Sequence, residues 1–209
     1  MNGTDTKQRI LDSAERLFAT GGFDATSLRT IIADAQVNLA AIHYHYRSKE
    51  ALLDAVLVRR LHPINRERLE KLAKCGENPT LEAVLDAFVA PAVRVSADPE
   101  LGGRNFVRLM GRIIVEDHLP DLIKQHFGDV LQRFTRALQK VLPELPPVEL
   151  FWRMHFTAGV MAHTLRAGQD MDLISGGLCD GSDVEAVTRR VVAFTAAGFR
   201  AAVPGAKNG

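Results

Sequence analysis

Residues 26–53 read TSLRTIIADAQVNLAAIHYHYRSKEALL. Leu28, Ile31, Ile32 and Ala35 recur at the three- and four-residue steps of a short amphipathic helix. Thr26 and Ser27 are both suited to cap its N-terminus. Asn38 is a natural cap for a second short helix ending near Tyr46, with Ile42 and Tyr46 on its inward side and Val37 at the turn. The opposite side then carries Leu39, Ala40, His43 and Tyr44. Such small, apolar and aromatic-polar groups suit a contact surface better than the Lys and Glu of a solvated helix. Two short helices joined through Ala35-Gln36-Val37 meet the requirement of a helix-turn-helix. In that motif the first helix braces on the phosphate backbone and the second enters the major groove.

The same period extends on both sides of this segment. Ile10, Leu11, Ala14, Leu17 and Phe18 predict a helix capped at Asp5 or Thr6 and stopped at Gly21-Gly22. Ser48 caps a long helix running through Val56 and Leu69 to about Cys75-Gly76. Further helices are expected at 80–96, with Pro91 kinking or ending its last part, and at 103–116, 120–141 and 147–167. Residues 168–181 read as irregular. Ser182 and Glu185 have the spacing of a capping box for a final helix. Strand-like alternation is essentially absent. The expected fold is all-α with about nine helices: a domain of three short helices over residues 1–50, then a larger helical domain over 51–209.

The 209 residues carry 26 Lys+Arg against 25 Asp+Glu, a formal charge of +1, so no polybasic partner surface is implied globally. Residues 1–50 hold six basic side chains (7, 9, 16, 29, 47, 49) and six acidic ones (5, 12, 15, 24, 34, 50). DNA affinity would therefore depend on charge placement, helix dipoles and a dimer. Apolar residues make up 46% and no run approaches a membrane span. No secretory signal opens the chain, and Cys75 and Cys179 read as incidental reduced thiols, which fits a cytoplasmic protein. GxSxG, GxGxxG, Walker, HExxH and CxxC patterns are absent, so neither an enzyme nor a cofactor is expected. His43 and His45, two apart on a helix, point to different faces and are not expected to bind metal.

The run from Thr26 to Leu53, preceded by ILDSAERLFATGGF at Ile10 to Phe23, resembles the TetR (tetracycline-repressor-like) family of bacterial regulators. That resemblance implies a small DNA-binding domain, a homodimer, a double-stranded DNA operator and a separate helical domain for a small-molecule effector. It implies backbone contacts from Thr26, Ser27, Tyr44, His45 and Lys49, and base-facing positions at Asn38, Leu39, Ala40 and His43. Gln36 stands where the family usually has Gly; a left-handed backbone there costs a non-Gly residue about 1 kcal/mol. Ile32 replaces a common Ala. Leu39 and Ala40 favour thymine-methyl contacts or indirect readout over rich hydrogen bonding. The C-terminal half bears a fainter resemblance to the subgroup with fatty-acid-responsive members.

Beyond Leu53 the residues leave alternatives open. Arg104, Arg108 and Arg112 form one stripe, either a solvated or ion-paired face or a source of one guanidinium for an anionic ligand head. Phe106, Arg108, Met110, Trp152 and Phe156 are candidate ligand-binding residues, with plain core as the alternative for the apolar ones. Arg59, Arg60, Arg66, Arg68, Lys71 and Lys74 read as a solvated helix face. The apolar stretch Val191 to Val203, with Gly159 and Ala162 on the preceding helix, fits an intersubunit four-helix bundle. The leading reading is a dimeric, ligand-responsive repressor without membrane association, binding a palindromic operator and released by a small amphipathic ligand, with a fatty acid or acyl thioester as the candidate that the resemblance offers. Its rivals are a helical adaptor whose helix-turn-helix no longer binds DNA, and a helical enzyme.

Overall fold

The computed structural model describes residues 3–98, 103–115 and 119–203, and among these the chain is entirely helix and loop. The elements are α1 (Gly3–Gly21), α2 (Leu28–Ala35), α3 (Leu39–His45), α4 (Lys49–Lys74), α5 (Leu81–Ala97), α6 (Gly103–Val115), α7 (Leu119–Val141), α8 (Pro147–Ala167), α9 (Met171–Ile174) and α10 (Val184–Arg200). The expected end of the sixth helix at Glu116 lies outside the described residues.

The helices divide into two compact units, residues 1–63 with 99–126, and residues 64–98 with 127–209. In the first, α1 packs on α2, α3 and α6. Its core takes Ile10, Ala14, Phe18 and Phe23 from the first segment, Ile31 and Ile42 from the next two helices, and Leu52 and Val56 from α4. These are the positions that the helical period selects. The second unit packs α5 and α8 against α10. Phe88, Phe134, Leu150, Met154 and Phe199 lie in its core.

Local chemistry sets most helix ends. Asn38 Oδ1 accepts from the Ala41 N–H at 2.8 Å, Ser48 Oγ from Ala51 at 3.1 Å and Thr80 Oγ1 from Ala83 at 3.1 Å, each satisfying one orphan donor of a first turn. Four expectations are corrected. The first helix begins at Gly3, so Asp5 sits in its first turn rather than at its cap. The last helix is capped by Asp183, whose carboxylate accepts from Ala186 N–H at 2.9 Å, while Ser182 is turned to Asp180. Pro91 does not end α5, which runs on to Ala97 with the proline buried inside it. The segment expected to be irregular forms a 3-10 turn, Gly168–Asp170, and then α9. Gly176 and Gly177 (φ 63° and 87°) end it, with the Gly177 N–H donating to Asp172 O at 2.8 Å.

Candidate nucleic-acid interface

Helix α3 has only seven residues, and what holds it is the inward pair. Ile42 is fully buried and Tyr46 is 6% exposed. The outward side is open: Tyr44 is 85% exposed and Leu39 57%, with Asn38, Ala40 and His43 exposed beside them. His45 is half-buried, its ring edge-on to Tyr44 with centroids 5.0 Å apart. Burial of Tyr46 raises its phenol pKa, so the ring serves as a neutral core anchor.

In the turn between α2 and α3, where the family resemblance puts a Gly, Gln36 adopts φ 53°, ψ 47° in the left-handed region. Its N–H donates to Ala33 O at 3.3 Å and that of Val37 to Ile32 O at 3.2 Å, a doubly bonded helix end of the Schellman kind. Arg9 adds a clamp from α1, donating to the carbonyls of Ala35 and Gln36. Ser27, exposed, caps α2 by accepting from Thr30 N–H at 3.1 Å.

Thr26 and Lys49 have different surroundings. The Thr26 side chain is buried and its hydroxyl donates to Gly22 O at 2.7 Å; its own N–H donates to Phe23 O at 3.2 Å. The Lys49 ammonium donates to Phe23 O at 2.9 Å and Asp24 O at 3.3 Å, and stands 4.3 Å from the Phe23 ring centroid. Both side chains therefore knit the turn at 22–24 to the helices around it.

A polar network behind the motif is invisible to a sequence reading. Arg59 meets Asp12 at 2.6 Å and Glu15 at 2.5 Å, and Arg60 meets the same Glu15 at 2.9 Å. Glu15 is 2% exposed, so two guanidiniums neutralise one buried carboxylate. Asp34 accepts from Ser13 and Arg16, which hold its carboxyl below the ordinary range. A cleft of about 420 Å³ lies among these groups. Arg59 and Arg60 are thus not a solvated face; nor is Arg68, which is fully buried, whereas Arg66 is exposed. Partners forty-odd positions away carry no periodic signal, and only the odd placement of Glu15 beside apolar Ala14 hints at burial.

The ligand candidates fall in both units. Phe106 is buried in the first unit on α6, with Met110 half-buried and Arg108 exposed. Trp152 and Phe156 belong to the second, stacked on the α8 surface with centroids 5.7 Å apart and 53% and 59% exposed. Arg112 donates to Thr20 O at 2.9 Å. Cys75 and Cys179 are free and half-buried. No group of three metal-ligating side chains occurs among the described residues, and no helix among them is long and apolar enough to cross a membrane.

Comparison with known proteins agrees with this architecture. Residues 10–56 match the family model for bacterial regulatory proteins of the tetR family, and residues 86–198 match the tetracyclin repressor-like C-terminal domain. The chain belongs to the TetR family of transcriptional regulators. It is 32% identical over 88 residues to the HTH-type transcriptional regulator SrpR of Pseudomonas putida, covering 42% of this chain and 41% of that protein. It is likewise 32% identical over 88 residues to the HTH-type transcriptional regulator TtgW of Pseudomonas putida, covering 42% of this chain and 66% of that one. Each match thus spans less than two thirds of the relative's length. Among solved structures, a TetR-like regulator from Rhodococcus sp. RHA1 superposes with TM-score 0.63 at 15% identity, over 92% of this chain and 94% of that one. SmeT, the repressor of the Stenotrophomonas maltophilia multidrug efflux pump SmeDEF, gives 0.63 at 20% identity, over 93% and 91%. At such identities the likeness concerns the fold.

Proposed function

We propose that this chain is a dimeric, ligand-responsive repressor that binds a palindromic operator through α3 and leaves it when a small amphipathic molecule binds. The observation that carries the reading is the open face of α3. Leu39, Ala40, His43 and Tyr44 face solvent on a helix whose opposite side is anchored by Ile42 and Tyr46. Leu39 and Ala40 read thymine methyls and groove shape, while Asn38 and His43 supply polar contacts to base edges. Ser27, Tyr44 and His45 meet phosphates, with Thr26 and Lys49 acting through the turn they secure and Lys49 also through its charge. The DNA-binding part is the N-terminal three-helix segment within residues 1–50; the remainder, 51–209, carries effector binding and dimerisation.

Dimerisation is supported by a surface on the second unit. Phe151, Trp152 and Phe156 of α8 and Phe194 of α10 are each more than half exposed, with Gly159 and Gly198 open on the same two helices. So many large apolar groups on two packed helices suit a partner's matching pair better than water. Two copies would set their recognition helices about 34–36 Å apart, one turn of DNA. An effector that prefers the released geometry shifts the balance by its difference in affinity. The relative HdnoR is by its name a nicotine-responsive transcriptional repressor, which supports ligand response as the mode of control.

An electrophoretic mobility shift with the DNA upstream of this protein's own gene tests the proposal. A discrete shifted band that resists excess random duplex is expected. Binding no tighter than to random duplex across that region would favour the adaptor reading.

A further inference from the structure

Helix α8 turns one continuous strip of its surface outward. At about 100° per residue Val148, Phe151, Trp152, His155, Phe156 and Gly159 share one side, and all six are exposed. The opposite side, with Leu150, Arg153, Met154 and Thr157, is buried. His155 lies within the aromatic part of the strip, its ring centroid 5.9 Å from that of Trp152 and 6.0 Å from that of Phe156. The outward side of α10 is the converse, with small Ala193, Ala197 and Gly198 around Phe194. A bulky face and a flat one on two packed helices fit a second copy of the chain related by a two-fold axis. The exposed aromatics Phe151, Trp152, Phe156 and Phe194 alone offer roughly half of the ~800 Å² that each partner of a stable dimer buries.

Among the described residues, no carboxylate shares that strip. Glu149 and Arg153 pair at 3.6 Å toward the inner side of α8. His163 and Arg166 follow on the outward side, about two and three turns farther on. On α10, Arg190 is exposed, Glu185 and Arg189 pair at 3.6 Å, and Arg200 holds Glu82 of α5 at 2.6 Å. The other charges of α5 are engaged as well, Asp86 with Lys71 and Arg94 with Glu67. Asp170 and Asp172 stand in the segment beyond the C-terminal end of α8. A protonated His155 thus has aromatic rings beside it and no acid on either face to pair with.

The free chain tolerates that charge, because His155 faces water. Its ring contacts exist without a partner, so any cation–π gain is common to the free and the assembled states and cancels. Desolvation does not cancel. Enclosing an unpaired ion in an apolar contact is strongly unfavourable, and a two-fold interface encloses two of them. We propose that His155 makes assembly pH-dependent: two copies join through α8 and α10 while both imidazoles are neutral, and acid separates them and releases the operator. This rests on the dimer reading of the proposed function and adds a second control beside the effector. The separated chains bind more protons than the dimer, so the dimer is favoured at high pH and drawn apart as pH falls through the histidine range.

The test is sedimentation equilibrium of the full chain at about pH 8 and about pH 5.5. Two ordinary histidines that must each lose a proton make the dimer dissociation constant rise about a hundredfold across that interval. His155→Gln and His155→Phe, both uncharged, are expected to remain dimeric at the lower pH, and His163→Gln to respond as the wild type does. Should neither His155 variant assemble, the wild type supplies a second measurement. Between about pH 6 and pH 5 the logarithm of its dissociation constant should climb by more than about one per pH unit, because each dimer takes up two protons as it separates. A change of less than about threefold, a slope below about one, a response that survives in an assembled His155 variant, or its loss in His163→Gln would each overturn the proposal and leave the dimer standing. Monomeric wild type at about pH 8 would overturn the dimer reading and this proposal with it.

Discussion

Arg9 donates to the carbonyl of Gln36 at 2.7 Å, tying the middle of α1 to the left-handed residue on which the turn between α2 and α3 depends. The contact sets how α3 leaves the body of the first unit, and both residues can be tested separately. Arg9→Ala removes a charge-assisted bond and should cost about 1–2 kcal/mol in urea unfolding. Gln36→Gly relieves the left-handed strain and should add about 0.5–1 kcal/mol. A loss of stability in Gln36→Gly would show that the Gln36 side chain contributes more than its backbone strain removes.

Tyr44 is almost wholly exposed, so truncating it leaves the core intact. Tyr44→Ala should weaken operator binding by about 1–3 kcal/mol while leaving the unfolding curve unchanged. Fluorescence anisotropy with labelled operator, paired with denaturation, measures both. The inward Tyr46→Ala should instead shift the unfolding curve, destabilising the motif and losing DNA binding with it.

How much of the molecule is legible in the sequence depends on the distance over which each signal acts. Helix period and cap chemistry are local, and they locate α2, α3 and the Asn38 cap, while the special backbone at Gln36 is signalled only by the family resemblance. The cap of the last helix shifts by one residue because Ser182 and Asp183 are both good caps and Asp180 decides between them by engaging the Ser182 hydroxyl. Arg59, Arg60 and Arg68 read as solvated because a basic residue on a helix normally is. What reverses that rule here is a buried Glu15 and a backbone carbonyl, both far away in the chain. Composition alone offers Phe106 to a ligand pocket; its actual neighbours depend on α6 packing against α1, which no local pattern encodes.

The acid response should report on Asp34. Hydrogen bonds from Ser13 and then Arg16 depress its folded pKa below the ordinary value of 3.8. The folded state therefore binds fewer protons than the unfolded state in that range. Its stabilising contribution is complete above the unfolded value of about 4 and is lost as pH falls through the folded pKa. Asp34→Asn should unfold at lower urea than wild type at pH 7 and show a shallower loss between pH 7 and strong acid. Parallel pH profiles for the two proteins would contradict this role.

The assembly surface is tested at Phe194, which is 68% exposed on α10. Phe194→Glu places a charge where two copies would meet and should give monomers in analytical ultracentrifugation at micromolar concentration. The variant should keep its fold, because the side chain contributes little to its own core. Monomeric wild type under the same conditions would rule out the four-helix interface.

Everything proposed for the N-terminal unit requires that α3 reads DNA as one of a pair. The most direct measurement is selection of the full chain's preferred sites from random duplexes, followed by sequencing of the bound fraction. A palindrome is expected whose half-sites lie one helical turn apart, about 10 base pairs centre to centre, with the base preference within each half-site altered in the base-facing variant His43→Ala. Recovery of no enriched sequence, or of an unchanged base preference with His43→Ala, would contradict it.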